Sequence, residues 1–260
     1  MRITLCQIPI VWEKAIENIS NCERLLEDLF TTKSSGTDIV ILPEFFTYGF
    51  TMNREIAEGI NGPSLSWMRE KSMQYNVAIV ATIPIKEGDR LFNRAYFVKP
   101  DGTEHHYDKR HLFSYGGEDM VYTRGDSNTI VNYKGFNILL QVCYDLRFPV
   151  WSRNKNLSYD LVINMANWPS SRESVIEPMV RARAIENLSY YAFTNRSGND
   201  PLNSYNPVGF VSDYKGEPMT PKLFSDEFNY KTYNLDINDL VIFRQKFKAW
   251  QDADNFEIIY

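Results

Sequence analysis

Three polar side chains in this 260-residue chain fall where predicted strands hand over to loops. Glu44 follows the run DIVIL (38–42), Lys109 follows TEHHYD (103–108), and Cys143 ends FNILLQVC (136–143). In layered α/β folds ligands gather in the crevice at the carboxyl ends of strands, so three residues placed this way can meet in one site. A carboxylate, an ammonium and a thiol together suit acyl transfer from an amide or a nitrile. The thiolate is the nucleophile, and a free cysteine ionises only at about pH 8.5. A carboxylate beside it can take its proton, and an ammonium favours the thiolate and stabilises a tetrahedral oxyanion. Taken alone, each residue also has a plainer reading. Cys143 is an inert buried thiol, Glu44 a helix cap or surface carboxylate, and Lys109 a solvated cation beside Arg110.

The elements that must position these residues follow from periodicity. Alternation predicts a strand over 2–8, and helical spacing of Ile16, Ile19, Cys22, Leu25, Leu26 and Leu29 predicts a helix over 15–30, broken by Ser34-Ser35-Gly36. Continuous apolar runs at 38–42, 77–83 and 161–166 predict strands buried on both faces. A helix is predicted over 64–75 with Ser64 as its cap. Further strands are predicted at 93–99 and 103–108 around the turn Pro100-Asp101-Gly102, and at 128–133 and 136–143 around Lys134-Gly135. Helices are expected over 147–156, over 173–189 with Pro178 near the start, and over 238–246; strands are expected at 190–196, 208–218 and 230–237. Strands and helices interleave throughout, with no repeat and no flexible linker. That pattern gives one α/β domain of two packed sheets with helices outside.

Composition narrows the function. Hydrophobic residues make up 43% and charged residues 23%, which suits an ordinary globular protein. No apolar run approaches the roughly 18 residues of a membrane span, so no membrane partner is expected. The first residues enter a strand pattern without a secretory apolar core, and a cytoplasmic location is expected. A net charge of −5 without a basic run argues against nucleic acid. Three cysteines with no C-x-x-C exclude a disulfide framework or a zinc finger. His105, His106, Asp108 and His111 suggest a metal, but adjacent histidines on a strand point to opposite faces. Neither metal nor cofactor is expected. Cys6 and Cys22 read as packing residues.

The segments ILPEFFTYGF, YDKRHLF, VCYDLRFP, ANWP and RARAIEN occur in this order. With Glu44, Lys109 and Cys143 spaced by 65 and 34 residues, they resemble the nitrilase, or carbon–nitrogen hydrolase, superfamily over nearly the whole chain. Within it, CYDLRFPVWSR, ANWP, ARAIEN and AWQDADNF are most similar to the bacterial ω-amidases. The resemblance implies a four-layer αββα sandwich over residues 1–260, paired into a homodimer or larger homo-oligomer. The tail from about 247 to 260, with Trp250 and Tyr260, is expected at a subunit interface or packed on a loop. It also implies an amidase for the terminal amide of 2-oxoglutaramate or 2-oxosuccinamate, working through a thioester without a cofactor.

Carried over residue by residue, Cys143 is the nucleophile, Glu44 the general base and Lys109 the oxyanion stabiliser. Glu118 is a second glutamate that orients the lysine, and the Tyr144 N–H is a second oxyanion donor. Arg172 and Arg147 are candidates for the substrate carboxylate, because guanidinium binds carboxylate in a bidentate fork. Arg147 can alternatively be a buried ion-pair anchor. Trp168, Phe45 and Tyr48 are candidate pocket walls. Two departures from the ω-amidase pattern, Ile176 and YNPVG (205–209), leave the chemistry intact and bear on substrate or subunit contact. Other C–N substrates, such as deaminated glutathione, an N-carbamoyl amine or a nitrile, stay open, as does an inactive scaffold of the same fold.

Overall fold

A computed structural model describes residues 1–32 and 36–258. In chain order its strands are β1 (Arg2–Cys6), β2 (Ile39–Ile41), β3 (Ala78–Glu87), β4 (Arg90–Val98), β5 (Glu104–Asp108), β6 (Ile130–Tyr133) and β7 (Phe136–Val142). There follow β8 (Leu161–Ala166), β9 (Tyr190–Asn195), β10 (Gly198–Asn199), β11 (Ser204–Tyr205), β12 (Gly209–Ser212), β13 (Leu223–Ser225) and β14 (Tyr230–Asn234). The α-helices are α1 (Ala15–Glu27), α2 (Pro63–Tyr75), α3 (Ile176–Asn187) and α4 (Ile237–Lys246).

Among the described residues the strands form two main sheets. One has seven strands in the order β13-β14-β1-β2-β3-β4-β5, and the other has five in the order β12-β9-β8-β7-β6. The centres are parallel: Ile3 pairs with Ile39, Ile39 with Ala78, Ile138 with Leu161 and Leu161 with Tyr190. These are the continuous apolar runs, because a parallel strand covered on both faces leaves no position for a solvated side chain. β4 and β5 turn back antiparallel and carry their ends toward the same edge.

Strand alternation then sorts the core. Ile3, Leu5, Ile39, Ile41 and Val80 meet Ile138, Leu140, Leu161 and Ile163 between the sheets. Val40, Ile79 and Ala81 face Cys22, Leu25 and Leu26 of α1 and Leu65 and Met68 of α2. Val180 and Ala184 of α3 join the core of the five-stranded sheet. At the amino ends of β8 and β9, Arg244 of α4 donates to Asp160 Oδ1 at 2.6 Å and to Leu188 O at 2.8 Å. The result is helix–sheet–sheet–helix, the αββα order. Each buried Ile, Leu or Val contributes about 1.5–3 kcal/mol. A double-sided core of this kind offsets the several kcal/mol that each buried charge of the site costs.

Several expectations are corrected. Ser64 is not the cap of α2: Gly62 is, with Pro63 in the first turn, where its missing N–H costs nothing. Ser64 is buried instead; its hydroxyl donates to Glu58 and is hydrogen-bonded to the Thr47 hydroxyl at 2.8 Å. No helix runs over 147–156. A 3-10 turn at Cys143–Arg147 ends before Pro149, and another single turn spans Lys155–Leu157; proline at 149 cannot donate into a continuing helix. Ile16 is exposed rather than on the buried face of α1. The helix over 173–189 begins as a 3-10 turn, Ser170–Val175, and Pro178 lies in the first turn of α3. The predicted break at Ser34-Ser35 and the tail residue Tyr260 lie outside the described residues. Phe256 of the tail folds back on Lys155, whose Nζ sits 3.9 Å from its ring centroid. Among the described residues no helix is long and apolar enough to cross a membrane.

Candidate active site

Glu44 leaves β2 through Leu42 and Pro43 into a turn that cannot relax. Phe45 is held at φ 46° and its N–H donates to Thr82 Oγ1 at 2.8 Å, while the N–H groups of Tyr48 and Gly49 return to Phe45 O. This fixes the Glu44 carboxylate inward. Lys109 leaves β5 with its N–H bonded to Asn93 O and its carbonyl accepting from Gly125. Cys143 ends β7 in the left-handed region at φ 46°, where non-glycine residues are uncommon. The 3-10 turn then starts at Cys143, which leaves the N–H of Tyr144, in its first turn, without an intrahelical acceptor. Glu118 opens a one-turn helix after Gly117 and is fully buried.

These four side chains meet. Lys109 Nζ lies 2.8 Å from Glu44 Oε1, and 3.1 and 2.9 Å from the two oxygens of Glu118. Glu44 Oε2 accepts the backbone N–H of Asn167 at 2.8 Å, and Glu118 Oε2 accepts that of Phe113 at 2.6 Å. The Cys143 thiol donates to Asn167 O at 3.9 Å, and the Glu44 carboxylate is close enough to act on it by charge. Glu44, Lys109 and Glu118 are wholly buried, and Cys143 is the one of the four with residual exposure, 8%.

Burial and charge set the protonation states. Burial works against the Lys109 ammonium, but Glu118, Glu44 and the thiol outweigh it and hold its pKa above the usual value. Burial also raises Glu118, with Lys109 opposing and Glu44 adding to the rise. Burial and then the Glu44 charge push the Cys143 thiol well up, against the pull of Lys109. The resting group is therefore a thiol beside a carboxylate.

Above the sulfur opens a cavity of about 380 Å³, lined by Lys109, Cys143, Tyr144, Arg147, Trp168 and Arg172 with the aromatic walls Trp12, Phe50, Phe113 and Tyr205. Arg147 stacks over Trp168 and Arg172 over Phe113, each 5.1 Å from the ring centroid. Trp168 Nε1 donates to Arg172 O at 2.8 Å, tying the two walls together. Among the described residues neither guanidinium forms an ion pair with a carboxylate. Arg147 is exposed, which overturns the buried-anchor alternative.

Two predicted wall residues lie elsewhere. Phe45 is fully buried behind the site, packed on Tyr122 at 5.5 Å and Phe50 at 6.3 Å. The Tyr48 hydroxyl donates to Glu58 at 2.8 Å and faces a separate cleft beside the start of α1. Phe45, the residue after the carboxylate, points away from it, and Tyr48 lies at the end of the turn that Phe45 O closes, so proximity in sequence misled in both cases. Ile176, Asn206 and Val208 line a groove between α3 and β12, not the cavity over Cys143; of that stretch only Tyr205 reaches the cavity. Sequence reasoning missed Asn93, Asn167, Trp12 and Phe113. Asn167 stands in ANWP and Phe113 in YDKRHLF, so both motifs held the signal; Asn93 and Trp12 carried none.

The chain is similar to known proteins. The model of the carbon–nitrogen hydrolase family matches residues 2–219. The omega-amidase YafV of Escherichia coli K12 is 38% identical, over 99% of this chain and 98% of that protein. The 2-oxoglutaramate amidase of Bacillus subtilis is 28% identical over 84% of each chain. The crystal structure of a CN-hydrolase superfamily protein from Xanthomonas campestris, with an arsenic adduct in its active site, superposes with a TM-score of 0.93 at 36% identity, covering 99% of this chain and 98% of that one. With the two-sheet sandwich, the buried carboxylate–ammonium–thiol cluster and a match across most of its length, this chain belongs to the carbon–nitrogen hydrolase family.

Proposed function

We propose that the protein is an ω-amidase, hydrolysing the terminal amide of small 2-oxo acid amides such as 2-oxoglutaramate and 2-oxosuccinamate to the 2-oxo acid and ammonia. One observation carries the reading: a buried Glu–Lys–Glu–Cys cluster forms the floor of a cavity whose walls hold two guanidinium groups with no carboxylate partner. The cluster supplies the amide chemistry, and the guanidinium groups supply a place for the far carboxylate of the substrate. The names of the relatives from E. coli and B. subtilis agree with this class.

Glu44 takes the thiol proton as Cys143 Sγ attacks the amide carbon. The carbonyl π electrons move to oxygen, and the oxyanion is held by Lys109 Nζ and the Tyr144 N–H. The tetrahedral intermediate collapses: the C–N bond breaks, nitrogen takes the proton from Glu44, and ammonia leaves a thioester. Water then attacks the thioester with Glu44 as base. The C–S bond breaks, the sulfur regains its proton, and the carboxylate is released. Glu118 holds Lys109 throughout.

The same proposal places the enzyme in the cytoplasm, supported by three free thiols, and pairs it as a homodimer through the groove beside α3, where Ile185 is half exposed. Nucleic acid and membrane are not partners in it.

The test is ammonia release from 2-oxoglutaramate, 2-oxosuccinamate, deaminated glutathione, an N-carbamoyl amine and a nitrile, with Cys143→Ala, Arg172→Met and Arg147→Met alongside. The 2-oxo acid amides are expected to be preferred and Cys143→Ala to be inactive. At least one arginine variant raises KM by about 10- to 100-fold, the worth of a charge-assisted pair. Preference for a neutral substrate, or turnover by Cys143→Ala, sinks the assignment.

A further inference from the structure

Asn93 stands in β4 opposite Pro84 of β3 and is fully buried. Its Nδ2 has two hydrogens, and both are committed: one to Glu44 Oε1 at 2.7 Å and one to Glu118 Oε1 at 2.8 Å. Its main-chain oxygen accepts the N–H of Lys109 at 2.9 Å. One residue therefore ties both carboxylates to each other and to the strand end that carries the lysine. Its Oδ1 is buried with no hydrogen-bond partner among the described residues. An unpaired buried carbonyl is destabilising, so stability alone does not explain an amide at this place.

The charge balance explains it. Two carboxylates share one ammonium in a wholly buried space, beside a neutral thiol. Like charges this close favour uptake of a proton by one of them, and a glutamic acid at position 44 cannot serve as a base. We propose that Asn93 is a positioning residue that keeps Glu44 and Glu118 ionised together, and so keeps Glu44 able to take the thiol proton. This rests on the reading of Glu44 as base and Cys143 as nucleophile. A neutral double donor suits the task, since it stabilises both carboxylates without competing with the substrate oxyanion for Lys109. The other titratable groups facing the pair are Lys109, the Cys143 thiol and Tyr122, whose hydroxyl donates to Thr51 O at 3.0 Å. Arg94, next in β4, is turned away and is paired with Asp108 and Glu87.

The experiment compares wild type, Asn93→Ser, Asn93→Asp and Cys143→Ala for ammonia release from 2-oxoglutaramate across about pH 5 to 10, with thermal unfolding as the check on folding. In Asn93→Ser, kcat falls about 10- to 100-fold with KM little changed. The acid limb of kcat/KM moves up by about one pH unit. In Asn93→Asp the introduced carboxyl donates only while protonated, so the alkaline limb moves down. A readout that needs no turnover is the infrared carbonyl stretch of a protonated carboxyl at neutral pH, expected in Asn93→Ser and not in wild type. Folded variants with unmoved limbs and no such band overturn the proposal and leave Asn93 a packing residue. If Asn93→Ser does not fold, the alkaline limb of the near-isosteric Asn93→Asp decides. Turnover by Cys143→Ala, or no ammonia release by wild type, defeats the amidase reading instead, and the infrared band still decides Asn93.

Discussion

Burial and then the charge of Glu44, the proposed base, keep Cys143 a thiol, so the proposed nucleophile is held in reserve. Lys109 is the counterweight. It bridges both glutamates, opposes the rise that burial gives Glu118, and in the proposed mechanism offers its charge to the oxyanion. Lys109→Ala therefore loses activity by about 10²–10³-fold or more, the worth of one oxyanion donor, and also leaves two buried carboxylates without a cation, a loss of about 3–5 kcal/mol. The stability loss depends on pH. In the folded variant the Glu118 pKa, already raised by burial, rises further once the lysine that lowers it is gone; unfolded, it stays at about 4.3. A carboxyl with a raised folded pKa contributes stability that is full below the unfolded value and is lost as pH rises through the folded one. Urea midpoints should show the variant nearest to wild type under acid conditions and falling behind toward neutrality. A gap that narrows with rising pH contradicts the arrangement of charges.

The loop from Lys109 to the 3-10 turn at Glu118 is positioned by backbone contacts as much as by side chains. Gly125 donates its N–H to Lys109 O at 3.0 Å, and a Cβ at this position would collide with the Asp108 carbonyl. Gly125→Ala is expected to cost about 1–3 kcal/mol, as overpacking does, and to lower kcat by displacing Lys109. Unfolding curves and steady-state rates check it; an unchanged Tm and kcat mean the close approach has no consequence. Asp145 does related work from the other sheet. It accepts from the Val142 N–H, the Tyr107 hydroxyl and the His111 N–H, between 2.9 and 3.0 Å, so the cysteine turn and the lysine loop share one carboxylate. At this scale the sequence was legible where a residue follows a strand end, as at Glu44, Lys109 and Cys143. It was opaque where a residue acts from within a strand. Asn93 looks like any polar strand position, and only the register of β4 against β3 brings it beneath both glutamates. Phe45 and Tyr48 misled for the converse reason, since the tight turn over 45–49 redirects the chain. The missing helix at 147–156 was a local conflict, with an apolar pattern overruled by Pro149.

At the scale of the whole molecule, α3 and β12 present a groove with Ile185 half exposed and Phe210 alongside. Both departures from the ω-amidase pattern, Ile176 and the YNPVG stretch, contribute to it. They therefore bear on the outer face of the five-stranded sheet more than on the cavity. Ile185→Asp should convert the proposed homodimer to a monomer in sedimentation equilibrium, since it replaces an apolar side chain in the proposed contact with a charge that must be desolvated. A wild-type protein that sediments as a monomer removes the homodimer from the proposal.

The site is also a seam. Glu44, Lys109, Glu118 and Asn93 follow or belong to the seven-stranded sheet, while Cys143 and Asn167 follow strands of the five-stranded one. Neither sheet holds a working set, and the bond between Glu44 and the Asn167 N–H crosses between them. Turnover therefore reports the docking of the two sheets rather than their formation. During refolding, far-UV ellipticity can return as each sheet forms, but amide hydrolysis returns only when the two faces close, in step with the near-UV signal of the aromatic walls.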